Sequence, residues 1–309
     1  MGKYIVRRLL QMIPVIIFST FLIYAMVFAM PGDPTAGKCG ERPCPPAYIA
    51  EFNEKYHLND PLLVQYYEYA KNVVQGDLGE NQFGNPVAEE LGERFQVTAR
   101  LGLMALVFEG VLGIAAGVLA GLRKGGFIDN LVLVSTLFVI SVPVFVIGTV
   151  LQYTFGLNLE LLPSLASGTD PSFVSLIMPA IVLGSTSLAY IARLMRTNIA
   201  ENLKSDYVRT ARAKGLKPGR IIGIHTLRNS MIPVVTFMGY DFGALLGGAI
   251  VTKGIFNIQG VGGYIFQGIR NRDGIAVVGA VTALVIVYLL VNLLVDLLYG
   301  ALDPRISND

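Results

Sequence analysis

Gly32-Asp33-Pro34-Thr35-Ala36-Gly37-Lys38 satisfies the first seven positions of the glycine-rich loop that cradles nucleotide phosphates. A true loop of that kind would make the chain a nucleotide hydrolase. The eighth position is Cys39, where a Ser or Thr hydroxyl should hold Mg²⁺, and the segment follows an apolar run rather than a strand. Gly40–Pro46 cannot begin the helix whose N-terminus would receive the phosphate. The match is therefore read as chance. No other nucleotide motif, no H-E-x-x-H and no G-x-S-x-G occurs, and His57 and His225 stand apart, so neither catalysis nor metal binding is expected.

Three further features carry polar chemistry. Cys39 and Cys44 are the chain's two cysteines, close enough to form a short-loop disulfide whose geometry sequence leaves open. Glu109 and Asp241 lie deep in apolar runs, where an ionised side chain costs about 2.5–3.5 kcal/mol, so such residues usually face a bundle interior or a wet pathway. Finally, Ser205–Pro218 is a short basic segment between apolar runs. Ser205 or Asp206 can cap a helix start, Gly215 can end it in the left-handed conformation, and Pro218 suits the first position of a second helix.

The elements that hold these residues are membrane spans. The 309 residues are 53% hydrophobic and 15% charged, whereas soluble domains carry about a quarter charged. Apolar runs at about Leu9–Met30, Val97–Leu122, Leu131–Phe155, Phe173–Leu194, Ser230–Val251 and Ile275–Tyr299 predict an all-α membrane protein of six transmembrane helices. The first run is too long for a cleaved signal peptide and lacks a small-residue exit. Lys and Arg gather at Lys3, Arg7, Arg8, Arg123, Lys124, Arg305 and from Arg193 to Arg228, which predicts cytoplasmic N- and C-termini.

The organisation expected is a first span over 1–30, an external helical segment over 31–96, a five-helix core over 97–301 and a cytoplasmic tail over 302–309. The core contains a cytoplasmic loop at 195–229. In the external segment, Tyr56, Leu58, Leu62, Tyr66 and Tyr69 form one face, set against the membrane or against each other. Asn59-Asp60-Pro61 separates two helices there, and Gly76-Asp77-Leu78-Gly79 and Asn85-Pro86 read as turns. Glycines at 113, 117 and 121, and at 239, 243 and 247, repeat every fourth residue, the spacing that lets helix backbones approach closely in lipid.

Asp206-Tyr207-Val208-Arg209-Thr210-Ala211-Arg212-Ala213-Lys214-Gly215-Leu216, followed by His225-Thr226-Leu227-Arg228-Asn229-Ser230-Met231-Ile232-Pro233, resembles the cytoplasmic loop of binding-protein-dependent ABC importer permeases. It is most similar to the dipeptide/oligopeptide branch. The resemblance extends through Pro31-Gly32-Asp33-Pro34, Gly76-Asp77-Leu78-Gly79, Gly247-Gly248-Ala249-Ile250-Val251 and Leu302-Asp303-Pro304-Arg305-Ile306. Arg209-Thr210-Ala211 stand where the general family has Glu-Ala-Ala, and Lys253 stands where the peptide branch commonly has an acid.

The resemblance implies a type I ABC importer permease in a bacterial inner membrane. Its partners would be a homologous second permease, two cytoplasmic ATPase subunits that bind ATP and Mg, and an external substrate-binding protein; no nucleic acid is expected. Tyr207 through Leu216 would form the coupling helix, with Ala211 and Gly215 small enough for close approach to an ATPase. Gly239, Tyr240, Asp241, Gly243 and Gly247 would line the translocation pathway. Peptides are the implied substrate, with haem, nickel chelates and oligosaccharides as alternatives. A stand-alone proton-coupled secondary transporter or channel is the competing reading, weakened because no Lys, Arg or His accompanies the two deep acids.

Overall fold

The computed structural model describes residues 2–29, 38–39, 44–166, 168, 170–247 and 250–302. The phosphate-loop look-alike before Lys38, the 31–34 motif, Gly248, Ala249 and the tail beyond 302 lie outside them. Among the described residues, five helices are long and apolar enough to cross a membrane, and a sixth crossing follows if one bent pair counts as a single span. The chain forms two compact units: Met1–Thr98 with Leu246–Lys253 and Ile258–Asp309, and Ala99–Leu245 with Gly254–Asn257.

In the first unit, α1 (Gly2–Phe28) packs against α13 (Gly274–Leu302). Arg8 Nη1 lies 3.2 Å from Asp296 Oδ2 near one end of the pair. At the other end, a Cβ on Gly274 would meet Val27 Cγ1 at 2.8 Å, so the two helices run antiparallel. Asp296 thus has a cationic neighbour on the partner helix as well as any reach toward the interface. Short helices α2 (Pro46–Lys55) and α3 (Leu62–Val74) follow α1, with Pro61 restarting the chain as its sequence requires.

The aromatic face expected on these two helices turns inward. The Tyr66 hydroxyl donates to Ile17 O at 3.0 Å, and its ring meets Phe21 edge-on at 5.2 Å. The Tyr69 hydroxyl donates to Thr282 Oγ1 at 2.8 Å, and burial pushes its phenol well above the ordinary value. Asp273, 3% exposed, caps α13 by accepting from Ala276 N at 3.2 Å and also accepts from Gln82 N. Lys38 Nζ lies 3.7 Å from the same carboxylate. Burial pulls this ammonium below the usual lysine value, and Asp273 opposes the drop. Val87 and Leu91 pack with Val261, Tyr264 and Ile265 of α12 (Val261–Arg270) and with Ala276 and Ala280 of α13.

In the second unit, the glycine stripe of α4 (Val87–Leu122) meets α7 (Ile177–Asn202). A Cβ at Gly113 would lie 3.0 Å from Leu188 O, at Gly117 2.5 Å from Ala192 O, and at Gly121 2.8 Å from Arg196 O. Only hydrogen fits there, which is the use expected of small residues at that spacing. Ile191, Met195, Ile199 and Val234 form the adjoining core.

The run read as one span over 131–155 is instead broken. Helix α5 (Phe127–Ser141) and the stretch beginning with α6 (Val144–Leu151) and ending in a π-helical turn at Gln152–Asn158 are bent by 98°. Pro143 causes the break, because the residue before a proline is driven out of the helical region, and Val142 sits at φ −93°, ψ 127°. Across the unit, Arg196 grips Asp129 through two bonds of 2.6 and 2.7 Å, and Arg193 Nε donates to Thr136 Oγ1 at 3.1 Å.

Two stability predictions follow from these contacts. Gly117→Leu drives side-chain atoms into the α7 backbone and costs about 3 kcal/mol or more, whereas Gly92→Ala, with open space at its Cβ, is neutral or stabilising by about 0.5–1 kcal/mol. Unfolding midpoints in detergent read both; equal midpoints for the two variants would refute the close approach. Arg196→Ala strands the buried Asp129 carboxylate and costs about 3–5 kcal/mol. It should be more harmful than the double exchange Arg196→Met with Asp129→Leu, measured in the same way.

Candidate functional site

The basic segment forms a helix, α8 (Asp206–Ala213), followed by a separate helical run that begins with α9 (Pro218–Arg220) and a π-helical turn at Ile221–Thr226 before α10 (Leu227–Gly247). Its end is a complete Schellman motif. Gly215 sits at φ +74°, its N–H donates to Arg212 O at 2.9 Å, and the Leu216 N–H donates to Ala211 O at 3.2 Å. Pro218 takes the first position of the next helix, where its missing N–H is no loss.

The start of α8 differs from expectation. Ser205 has the extended backbone of a capping residue, but no side chain caps the helix. Its hydroxyl donates to Asn202 O at 2.6 Å instead. The fastening comes from elsewhere: the Tyr207 hydroxyl donates to Asn202 Oδ1 at 2.7 Å, and Asn202 Nδ2 donates to the fully buried Ser230 Oγ at 2.9 Å. Asn202 ends α7 and Ser230 lies in α10, so one side chain ties the knob to two long helices.

Val208 and Ala211, one turn apart, are buried with Ile221 and Leu216. The small side chain of Ala211 therefore packs within the chain's own interior. Arg209, Thr210, Arg212, Ala213, Lys214 and Gly215 are exposed on the other side. Arg209 leans back toward Asp206 Oδ1 at 3.4 Å, an exposed contact of little energetic weight. Arg193 and Arg196, read in sequence as part of the same basic cluster, are committed to Thr136 and Asp129.

The second polar site lies between α4, α7 and α10. Glu109 is fully buried, and a Cβ on Gly184 would sit 3.3 Å from its Oε2. Asp241 Oδ1 accepts from Ser187 Oγ at 3.0 Å, one turn further along α7. The two carboxyl groups are electrostatic neighbours. Neither Glu109 oxygen nor Asp241 Oδ2 has a partner in hydrogen-bond geometry among the described residues. Sequence listed these acids as two separate intramembrane residues; the fold brings them to one place. Beside Asp241, Tyr240 is 45% exposed, Gly239 is half-buried and Gly243 is buried. Gly247 belongs to the first unit, where a Cβ would touch Leu284 Cδ2 at 3.2 Å.

Cys39 and Cys44 are bridged, with Cα atoms 5.3 Å apart. Sequence missed the Asp129–Arg196 grip, because an acid in the first turn of a helix is already accounted for by the helix dipole and signals no particular cation. No group of three or more potential metal ligands occurs among the described residues.

Residues 113–308 match the family described as binding-protein-dependent transport system inner membrane component, and residues 1–106 match the N-terminal membrane component of the same systems. The chain is 38% identical to the di/tripeptide transport system permease protein DppB of Pseudomonas aeruginosa, over 100% of its own length and 99% of that protein. It is equally 38% identical to the dipeptide transport system permease protein DppB of Escherichia coli, with the same coverage. It is 36% identical to the glutathione transport system permease protein GsiC of another Escherichia coli strain, over 99% of each chain. With its helical spans and a match that runs end to end, the chain belongs to the binding-protein-dependent inner membrane component family, the non-catalytic permease subunits of ABC transporters.

Proposed function

We propose that this chain is the pore-forming permease of an ATP-driven importer for short peptides, with six spans and both termini in the cytoplasm. The observation that carries the coupling role is the construction of α8. A Schellman cap ends it, Asn202 ties its base to two long helices, and its apolar side is spent on Ile221 and Leu216, leaving a polar and basic exterior. A span has no means of using ATP, so work must reach it through a stiff projection, and α8 has that stiffness. Its exposed Arg209, Arg212 and Lys214 suit docking against acidic groups of an ATPase subunit.

The partners in this reading are two cytoplasmic ATPase subunits that bind ATP and Mg, a homologous second permease and an external binding protein that delivers substrate. Peptide as cargo is supported by the dipeptide and di/tripeptide permeases to which the chain is similar along its whole length. Asp241, Tyr240 and the neighbouring Gly239 and Gly243 are assigned to the wall of the pathway, with Gly247 further along the same helix. Cys39–Cys44 is assigned to the external, oxidising side. The Glu109–Asp241 pair is the one observation that favours a proton-coupled carrier working alone. Uptake that persists without ATP and is driven by a pH gradient would decide for that carrier.

Ala213→Trp places a large side chain on the exposed face of α8 without touching its buried side or the glycine cap. It should weaken binding of the ATPase subunits about thirtyfold or more, the scale of a hot-spot contact, and abolish uptake while the chain remains inserted. Normal uptake in that variant removes α8 from coupling. For the pathway, Asp241→Cys should react with a membrane-impermeant thiol reagent in at least one nucleotide state. Protection in every state returns Asp241 to a packing role.

A further inference from the structure

The face of α3 that turns away from the protein carries an inference of its own. Tyr66 and Tyr69 hold α3 against α1 and α13, yet Leu63 is 70% exposed, Val64 44%, Tyr67 65% and Val74 88%. These residues recur at helical spacing on one side of α3, with Lys71 between the last two, and such a stripe has no reason to stand in water. Beside it, α1 exposes Ile17, Phe18 and Leu22. Those residues belong to a helix long and apolar enough to cross a membrane, so they stand at membrane depth. Tyr66 donates to the carbonyl of Ile17 itself, which fastens α3 beside this exposed side of α1.

We propose that α3 is an interfacial helix that lies in the membrane leaflet at the C-terminal end of α1, with Leu63, Val64 and Tyr67 among the acyl chains near the headgroups. Lys71 is paired to Glu68 at 2.8 Å in an exposed position, and its stem lets the ammonium reach the phosphate level while the apolar stripe faces the acyl chains. The chain has no Trp, and the aromatic belt that usually marks an interface is supplied here by tyrosines, with Tyr48, Tyr56, Tyr66, Tyr67 and Tyr69 within α2, α3 and the link between them. That this leaflet is the outer one rests on the orientation proposed above; contact with lipid does not. The bilayer is chosen over a second copy or a sister permease because the stripe sets a tyrosine and a lysine beside aliphatic residues, the anchor types of a membrane interface.

Spin labels at Leu63→Cys, Tyr67→Cys and Asn72→Cys, in the complex reconstituted into lipid vesicles, test this by collision with oxygen and with a water-soluble nickel chelate. Both native cysteines are in a disulfide and do not take the label. The ratio of oxygen to nickel accessibility should be several-fold higher at 63 and 67 than at 72. A high nickel accessibility at 63 and 67 would place the face in water and overturn the proposal. Low accessibility to both reagents would place a protein neighbour on it and overturn the proposal equally. Sidedness is read separately, from protection of the 72 label against an impermeant reductant. An inward result there would contradict the proposed topology while leaving the lipid contact standing.

Discussion

Close approach of two helix backbones is the constraint on which the second compact unit depends. Gly113, Gly117 and Gly121 present bare backbone to the carbonyls of Leu188, Ala192 and Arg196. In hydrocarbon there is no water to expel, so helices are held by van der Waals contact and polar bonds, and both need short distances. With α4 and α7 drawn together, Glu109 is set against Gly184, and α7 offers Ser187 to Asp241 on its next turn. Further along, α7 presents Arg193 and Arg196 to the polar groups of α5. One helix thus supplies the partners for several charges that lipid would not tolerate alone.

The projecting helix shows how a small element can be stiff without a large core. Local backbone chemistry ends it at Gly215, and one buried cluster of Val208, Ala211, Leu216 and Ile221 holds it down. Every apolar side chain on its inner side is used for that purpose. What remains outside is mostly charged and polar, with Tyr207 and Ala213 among it. The π-helical turn at Ile221–Thr226 runs into α10 without interruption, whereas the Gly215 cap and the extended Lys217 separate α8 from that run.

In the first unit the organising group is Asp273. It caps the last span, accepts from the Gln82 N–H of the preceding loop and faces the Lys38 ammonium beside the disulfide. A carboxylate buried this deeply is tolerated because donors surround it. Tyr66 and Tyr69 of α3 complete the attachment, with hydroxyl partners and ring neighbours on the adjacent spans. Segments outside the spans are thereby tied to the ends of α1 and α13 rather than left as a loose loop.

The amino-acid sequence by itself determined whatever depends on a few neighbouring residues or on the demands of hydrocarbon. Apolar runs, the helix stop at Gly215, the restart at Pro218 and the separation of α2 from α3 at Pro61 were all legible, because backbone sterics and the need to satisfy peptide groups in lipid act locally. Pro143 was legible too, yet reading its run as one continuous span missed the bend that the proline imposes on Val142. Only the tertiary structure decided the pairings. That Glu109 meets Asp241, that Arg196 belongs to Asp129 rather than to the free basic cluster, that Ala211 faces inward and that Ser205 bonds backward all depend on which helices stand side by side. A polar side chain in a packed interior takes the nearest competent partner, and nearness there is set by long-range packing rather than by position in the chain.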